Sequence, residues 1–196
     1  MTASGLILAA GSSRRMGSPK QLLLVDGIPL LELVLAKACA SKLDDVVVVL
    51  GGAAGEIQAR VNFGRAEVVI NADHASGMAS SLRAGLAALP ASVDRALIIL
   101  GDQPDISAWM LDSLLDLQES SGLPAAALSF NGLLHPPVVL QRELWGDLMA
   151  LEGDVGCRAV IRARPELVAS LEATESRNHP VDVDTPADYE RLTSKG

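Results

Sequence analysis

Four short, almost wholly apolar runs in the first hundred residues, Gly5–Ala10, Val46–Leu50, Glu67–Ile70 and Arg95–Leu100, each give way to a polar loop and then to a helical stretch. Runs that are apolar at successive rather than alternate positions are expected of strands covered on both faces. Helices are expected at Leu30–Ala40, which is apolar almost all round, and at Glu56–Val61. A third is expected at Met78–Leu89, where Met78, Leu82, Gly85, Leu86 and Leu89 share one face and Pro90 stops the helix. A fourth runs from a Ser107 cap through Leu117. Asp26-Gly27 is a turn signal, and Pro29 stands where a first helical residue would. Strand and helix alternate without a linker or a repeat. That order specifies an α/β fold, a Rossmann-like, doubly wound, mostly parallel sheet with helices on both faces.

The second half is less regular. Ala125–Ser129 and Pro137–Leu140 flank Asn131-Gly132, a small β-hairpin region whose connection is expected to be longer than two residues. Leu144–Leu151 and Val155–Ala163 are expected as helices, and Leu167–Leu171 and Pro180–Val183 as short strands. Thr185-Pro186 opens a final helix, with Asp188 suited to its dipole.

The 196 residues are expected to form a single domain. Hydrophobic residues make up 49% and charged ones 20%, an ordinary globular composition, and no apolar run reaches membrane-spanning length. The amino terminus has no secretory pattern. Cys39 and Cys157 lack metal-type spacing, so reduced thiols in a cytoplasmic protein are expected. A net charge of −8 disfavours a nonspecific nucleic-acid binder, and no nucleic-acid or membrane partner is expected. Against that acidic background the loop after the first strand stands out.

That loop, Gly11-Ser12-Ser13-Arg14-Arg15-Met16-Gly17-Ser18-Pro19-Lys20, reads as a phosphate cradle. Gly11 and Gly17 let the backbone approach an anion, and Arg14, Arg15 and Lys20 supply charge. The spacing is not that of a P-loop, and the middle glycine of the dinucleotide fingerprint is missing. Two further loops, Asn71–Gly77 and Gly101–Asp105, also follow strands. All three can converge at the carboxyl edge of the sheet, where such folds bind ligands.

Leu8-Ala9-Ala10-Gly11-Ser12-Ser13-Arg14-Arg15-Met16-Gly17 with Lys20 resembles the Leu-Ala-Ala-Gly-x-Ser-x-Arg-Met-Gly-x-x-Lys signature of the nucleotidyltransferases that act on molybdenum cofactor. Asn71 with Gly77–Leu82, Gly101-Asp102-Gln103-Pro104, Gly153–Arg158 and Asp182–Pro186 follow in that family's order, so the resemblance covers nearly the whole chain. Ala10 is similar to the cytidylyltransferase branch, since guanylyltransferases tend to carry a second glycine there. The fold implied is that of nucleotide-diphospho-sugar transferases, with a nucleotide-binding half at 1–120 and an acceptor-binding half at 121–196.

The resemblance implies transfer of CMP from CTP to the terminal phosphate of molybdopterin, with Mg2+ as cofactor and pyrophosphate as leaving group. Arg15 would hold the β- and γ-phosphates and Lys20 the α- and β-phosphates, with backbone from Ala10 to Gly17, Ser13 included, completing the cradle. Leu8, Ala9, Ala10, Asn71, Gly77, Ser80 and Ser81 would lie against ribose and base. Asp102 is the expected Mg2+ ligand, joined by Asp182 or Asp184, because a hard cation takes carboxylate oxygens. Asp182 and Asp184 read alternatively as a loop and cap. His135, Asp154 and Arg158 are acceptor candidates, although Leu134-His135-Pro136 lacks the glycine of the family's Gly-His-Pro. Arg14 falls at a variable position, and His74 and His179 read as surface residues. GTP as donor, a sugar or alditol phosphate as acceptor, and a noncatalytic molybdopterin-binding chaperone stay open as alternatives. A client molybdoenzyme or its chaperone is the macromolecular partner implied.

Overall fold

The computed structural model describes residues 1–11, 18–173 and 180–194. Its first strand, β1 (Ala3–Ala9), leads through the loop to a single 3-10 turn at Lys20–Leu22 and a tight hairpin of β2 (Leu24–Val25) and β3 (Ile28–Pro29). Pro29 pairs with Leu24 and stands just before helix α1 (Leu30–Cys39), not inside it. Then come β4 (Asp45–Leu50), α2 (Ala54–Arg60), β5 (Glu67–Ile70), α3 (Met78–Ala88), β6 (Arg95–Leu100) and α4 (Ala108–Ser121). Ser107 caps α4, its hydroxyl accepting from the Met110 amide at 3.2 Å. The second half adds β7 (Ala125–Phe130), β8 (Leu133–Gln141), α5 (Trp145–Met149), α6 (Arg158–Ala163), β9 (Val168–Glu172) and α7 (Pro186–Thr193).

Seven strands form one sheet in the order β5-β4-β1-β6-β8-β7-β9, parallel except for β8. Successive side chains explain the unbroken apolar runs. Ile7, Val48 and Ile99 pack with α1, α2 and α4, whereas Leu6, Val47 and Ile98 pack with α3, α5 and α6. Both faces are therefore buried, and the doubly wound expectation holds. The chain winds outward from β1 through β4 to β5 and then reverses to β6. The reversal leaves a crevice above the carboxyl ends of β1 and β6.

Three local expectations need correction. Phe130 pairs directly with Leu133, so Asn131 (φ 50°) and Gly132 (φ 74°) make a two-residue turn in the positive-φ region. The longer connection expected there followed from starting the second strand at Pro137, whereas β8 begins at Leu133 and carries Pro136 and Pro137 at a register break. Ala127 faces Val138 while Leu128 faces His135, so the two prolines, which donate nothing to a ladder, bulge out. The helices expected at Leu144–Leu151 and Val155–Ala163 are shorter, starting at Trp145 and Arg158. Pro180–Val183 is not a strand: it runs along the site, the Val183 amide donating to the Asp102 carbonyl at 3.1 Å. No helix among the described residues is long and apolar enough to cross a membrane.

Candidate active site

A cavity of about 940 Å³ opens over β1 and β6. Leu8, Ala9, Ala10 and Gly11 form one wall, and Lys20, Asp102, Asp182 and Asp184 stand together at its polar end. Asp102 is placed by the first turn after β6, and Lys20 by the 3-10 turn that ends the first loop. Buried Gln21 fixes the base of that loop, donating from Nε2 to the carbonyls of Ala9 (2.7 Å) and Gly11 (3.3 Å).

Lys20 Nζ donates to Asp102 Oδ2 and, at 3.0 Å, to Asp184 Oδ1. Asp182 Oδ1 accepts from Gln103 Nε2 at 2.8 Å. Gln103 is buried, and its Oε1 has no hydrogen-bond partner among the described residues. Burial pulls the Lys20 ammonium down, but Asp102 and then Asp184 outweigh it and hold it above its usual range. Burial pushes the Asp102 carboxyl up; Lys20 pulls it back, while Asp182 and Asp184 add to the rise. Among the described residues three carboxylates thus gather at one ammonium in a half-buried setting.

The cavity's other walls come from α3 and α6. Gly77 (φ 102°) turns the chain into α3, and a side chain there would lie 2.4 Å from the Gly153 backbone. The α3 amides meet that segment, Ala79 N–H donating to Gly153 O at 3.1 Å and Met78 N–H to Asp154 Oδ1 at 3.4 Å. Gly77, Ser81, Asp154 and Arg158 all line the cavity.

Asn71 and Ser80 do not; they lie beneath it. Asn71 Nδ2 donates to Ser80 Oγ (2.8 Å) and Ser81 Oγ (3.1 Å), and Asn71 Oδ1 accepts from the Asp73 amide (3.0 Å). His135 sits on β8 opposite Leu128, and Pro136 rather than His135 reaches the cavity. Ser13, Arg14, Arg15, Gly17 and His179 lie outside the described residues.

Gln21 and Arg162 were not singled out by sequence, Gln103 stood only within the Gly101–Pro104 motif, and His74 had no site role. Arg162 follows Arg158 by one helical turn on α6, and that i, i+4 spacing was the one available signal for it. His74, expected at the surface, is half-buried and lines the cavity. Cys39 and Cys157 are free thiols, and burial pushes the Cys157 thiol to about 12, so it stays protonated.

Comparison with known proteins bears on this arrangement directly. The MobA-like NTP transferase domain matches residues 5–170. The chain is 33% identical to nicotine blue oxidoreductase of Paenarthrobacter nicotinovorans, over 96% of this chain and 95% of that one. It resembles the crystal structure of a homologue of Mycobacterium tuberculosis Rv0371c from Mycobacterium sp. strain JC1, with a TM-score of 0.87 and 33% identity over 98% of this chain and 96% of the other. The manganese complex of Rv0371c itself, at 28% identity, covers all of both chains with a TM-score of 0.85. By the match over residues 5–170 and the identity to a full-length relative, the chain belongs to the MobA-like NTP transferase family.

Proposed function

We propose that the protein transfers CMP from CTP to the terminal phosphate of molybdopterin and releases pyrophosphate. The observation that carries the reading is the meeting of Lys20, Asp102, Asp182 and Asp184 at the polar end of a cavity set where the strand order reverses. CTP rests on Ala10, and molybdopterin on the motifs shared along the chain. In the reaction a nonbridging oxygen of the acceptor phosphate attacks the α-phosphorus. The bond from that phosphorus to the β-phosphate oxygen breaks, and pyrophosphate leaves with the electron pair. A phosphate dianion as nucleophile has no proton to lose, so this chemistry needs charge neutralisation and alignment more than a general base.

Mg2+ suits the donor set. Asp102, Asp182 and Asp184 offer only carboxylate oxygens, and among the described residues the three carboxylates outnumber the ammonium of Lys20 beside them. Among the described residues no three His, Cys, Asp or Glu side chains make a ready-made metal centre. A cation that keeps several waters and takes one or two carboxylates with substrate phosphates requires none. The manganese complex of Rv0371c supports the use of a divalent ion. When bound, that ion neutralises the triphosphate. Lys20 would then be free to bind phosphate oxygens, and Arg158 would bind on the acceptor side.

The name of the Paenarthrobacter relative describes a redox activity. The loop after β1 lacks the glycine pattern that seats a dinucleotide, which favours transfer over hydride chemistry. Pyrophosphate release in the presence of molybdopterin and Mg2+, with CTP against GTP, tests donor and acceptor together. Release with CTP and molybdopterin is expected. Release only with sugar or alditol phosphates, or oxidation of a nicotinamide cofactor without release, overturns the assignment.

A further inference from the structure

The cavity end beside β4 is built differently from the Lys20 end. Gly51 and Gly52 follow β4, and the imidazole of His74 lies along both of them. A Cβ placed on Gly51 would stand 2.9 Å from His74 Cγ and 2.5 Å from the Ala10 carbonyl oxygen. One on Gly52 would stand 2.9 Å from both Cε1 and Nε2 of the ring. Neither position admits a side chain while the ring is there, so two bare backbone units fix its plane.

Among the described residues the ring packs on backbone but makes no hydrogen bond. His74 lines the cavity together with Leu8, Ala9 and Ala10, and neither ring nitrogen has a hydrogen-bond partner among the described residues. A planar, polar-edged group pinned on one side and open to a cavity on the other is a recognition surface. The strands that lead to the two ends, β4 to Gly51 and Gly52 and β6 to Asp102, set the scale between them. β4 and β6 flank β1 in the sheet, two strand spacings apart, or roughly 10 Å. That is comparable to the span from an α-phosphate across a ribose to its base.

We infer that His74 contacts the nucleobase of the bound nucleoside triphosphate, its ring closing the end of the cavity opposite Lys20 and Asp102. The inference rests on the nucleotidyltransferase reading for the orientation of the nucleotide.

Titration calorimetry on the full chain, with Mg2+ and either CTP or inorganic tripolyphosphate, separates the two ends. Loss of one base–ring contact in His74→Ala is expected to weaken CTP about tenfold. Tripolyphosphate, which has no base, should bind the variant as it binds wild type. His74→Gln keeps a polar side chain without the ring and should weaken CTP in the same way, while His74→Phe should retain more affinity than either. Unchanged CTP affinity in His74→Ala or His74→Gln overturns the inference, as does equal weakening of both probes. A wild-type chain that binds CTP but never releases pyrophosphate overturns the transferase reading alone, and the variant comparison still decides the role of His74. A wild-type chain that binds neither probe overturns both.

Discussion

Two polar networks border the same cavity and differ in what they are for. The first joins Asn71, Asp73, Ser80 and Ser81, residues within eleven positions of one another, and it is neutral at its core. The Ser80 hydroxyl donates toward the carbonyls of Asp73 (2.9 Å) and Gly77 (2.8 Å), and the Asn71 amide is used at both ends. The second joins Lys20, Asp102, Gln103, Asp182 and Asp184, and its bonds span 79 to 164 residues of chain. Among the described residues it holds more negative than positive charge and leaves a buried carbonyl oxygen of Gln103 without a partner. A closed neutral network braces a loop. An open charged one, assembled from distant segments at some cost, is a place for a ligand.

Asp102→Asn breaks the second network at its ion pair with Lys20. The variant keeps size and shape but removes the negative charge that faces Lys20, and pyrophosphate release should fall at least about 100-fold. Circular dichroism and thermal unfolding should show the fold intact, since Lys20 keeps Asp184 as a partner. Near-normal turnover would mean that the charged network is only structural.

Asn71→Leu is the reciprocal test. It removes the donor to two buried hydroxyls, and urea unfolding should show a loss of about 1–3 kcal/mol. Because Asn71 and Ser80 lie below the cavity surface, KM for CTP should change much less than stability. A large rise in KM with stability unaltered would put Asn71 on the nucleotide and erase the distinction between the networks.

The two networks were not equally legible in the sequence. Lys20, Asp102 and the aspartates at 182 and 184 stand just beyond strands or in a shared motif, and strand termini at a reversal of sheet order must converge. The first four strand–helix pairs were legible for a related reason: burial on both faces leaves an unbroken apolar run, as in Val46–Leu50. Pro180–Val183 misled because alternating valine and aspartate mimics a half-buried strand, whereas here the chain bonds to the turn after β6 rather than to a ladder. Leu133–Pro136 misled in the other direction, since the strand expected at Pro137–Leu140 begins four residues earlier and bulges at its two prolines. Gln21 carried no local signal, and Gln103, although inside the Gly101–Pro104 motif, carried none for its own role. A carboxamide becomes a brace only once the fold has set a carbonyl or a carboxylate opposite it.

The smallest expected effect lies at the edge of the charged network, where α7 holds Asp184. The Asp188 carboxylate accepts from the amides of Thr185 (2.8 Å) and Asp184 (3.2 Å) and from the Thr185 hydroxyl (2.7 Å), closing a capping box at the start of α7. The Thr185 hydroxyl first, then the Thr185 amide, Arg191 and the Asp184 amide, lower Asp188 to about 2 from an ordinary 3.8. The folded form therefore holds its proton less tightly than the unfolded one. The stability this cap contributes is present in full above pH 3.8 and is lost as the pH falls toward 2. Removing the carboxylate by Asp188→Ala should mimic that loss at neutral pH. It loosens the segment that presents Asp184 to Lys20 without touching Asp102, so the variant should need more Mg2+ for half-maximal pyrophosphate release while its rate at saturating Mg2+ stays close to wild type. Hydrogen exchange at the Asp184 and Thr185 amides checks the cause, and should rise in Asp188→Ala at neutral pH. Protection that persists there would show that α7 is held by packing rather than by its cap, and that Asp184 belongs to the charged network without help from Asp188.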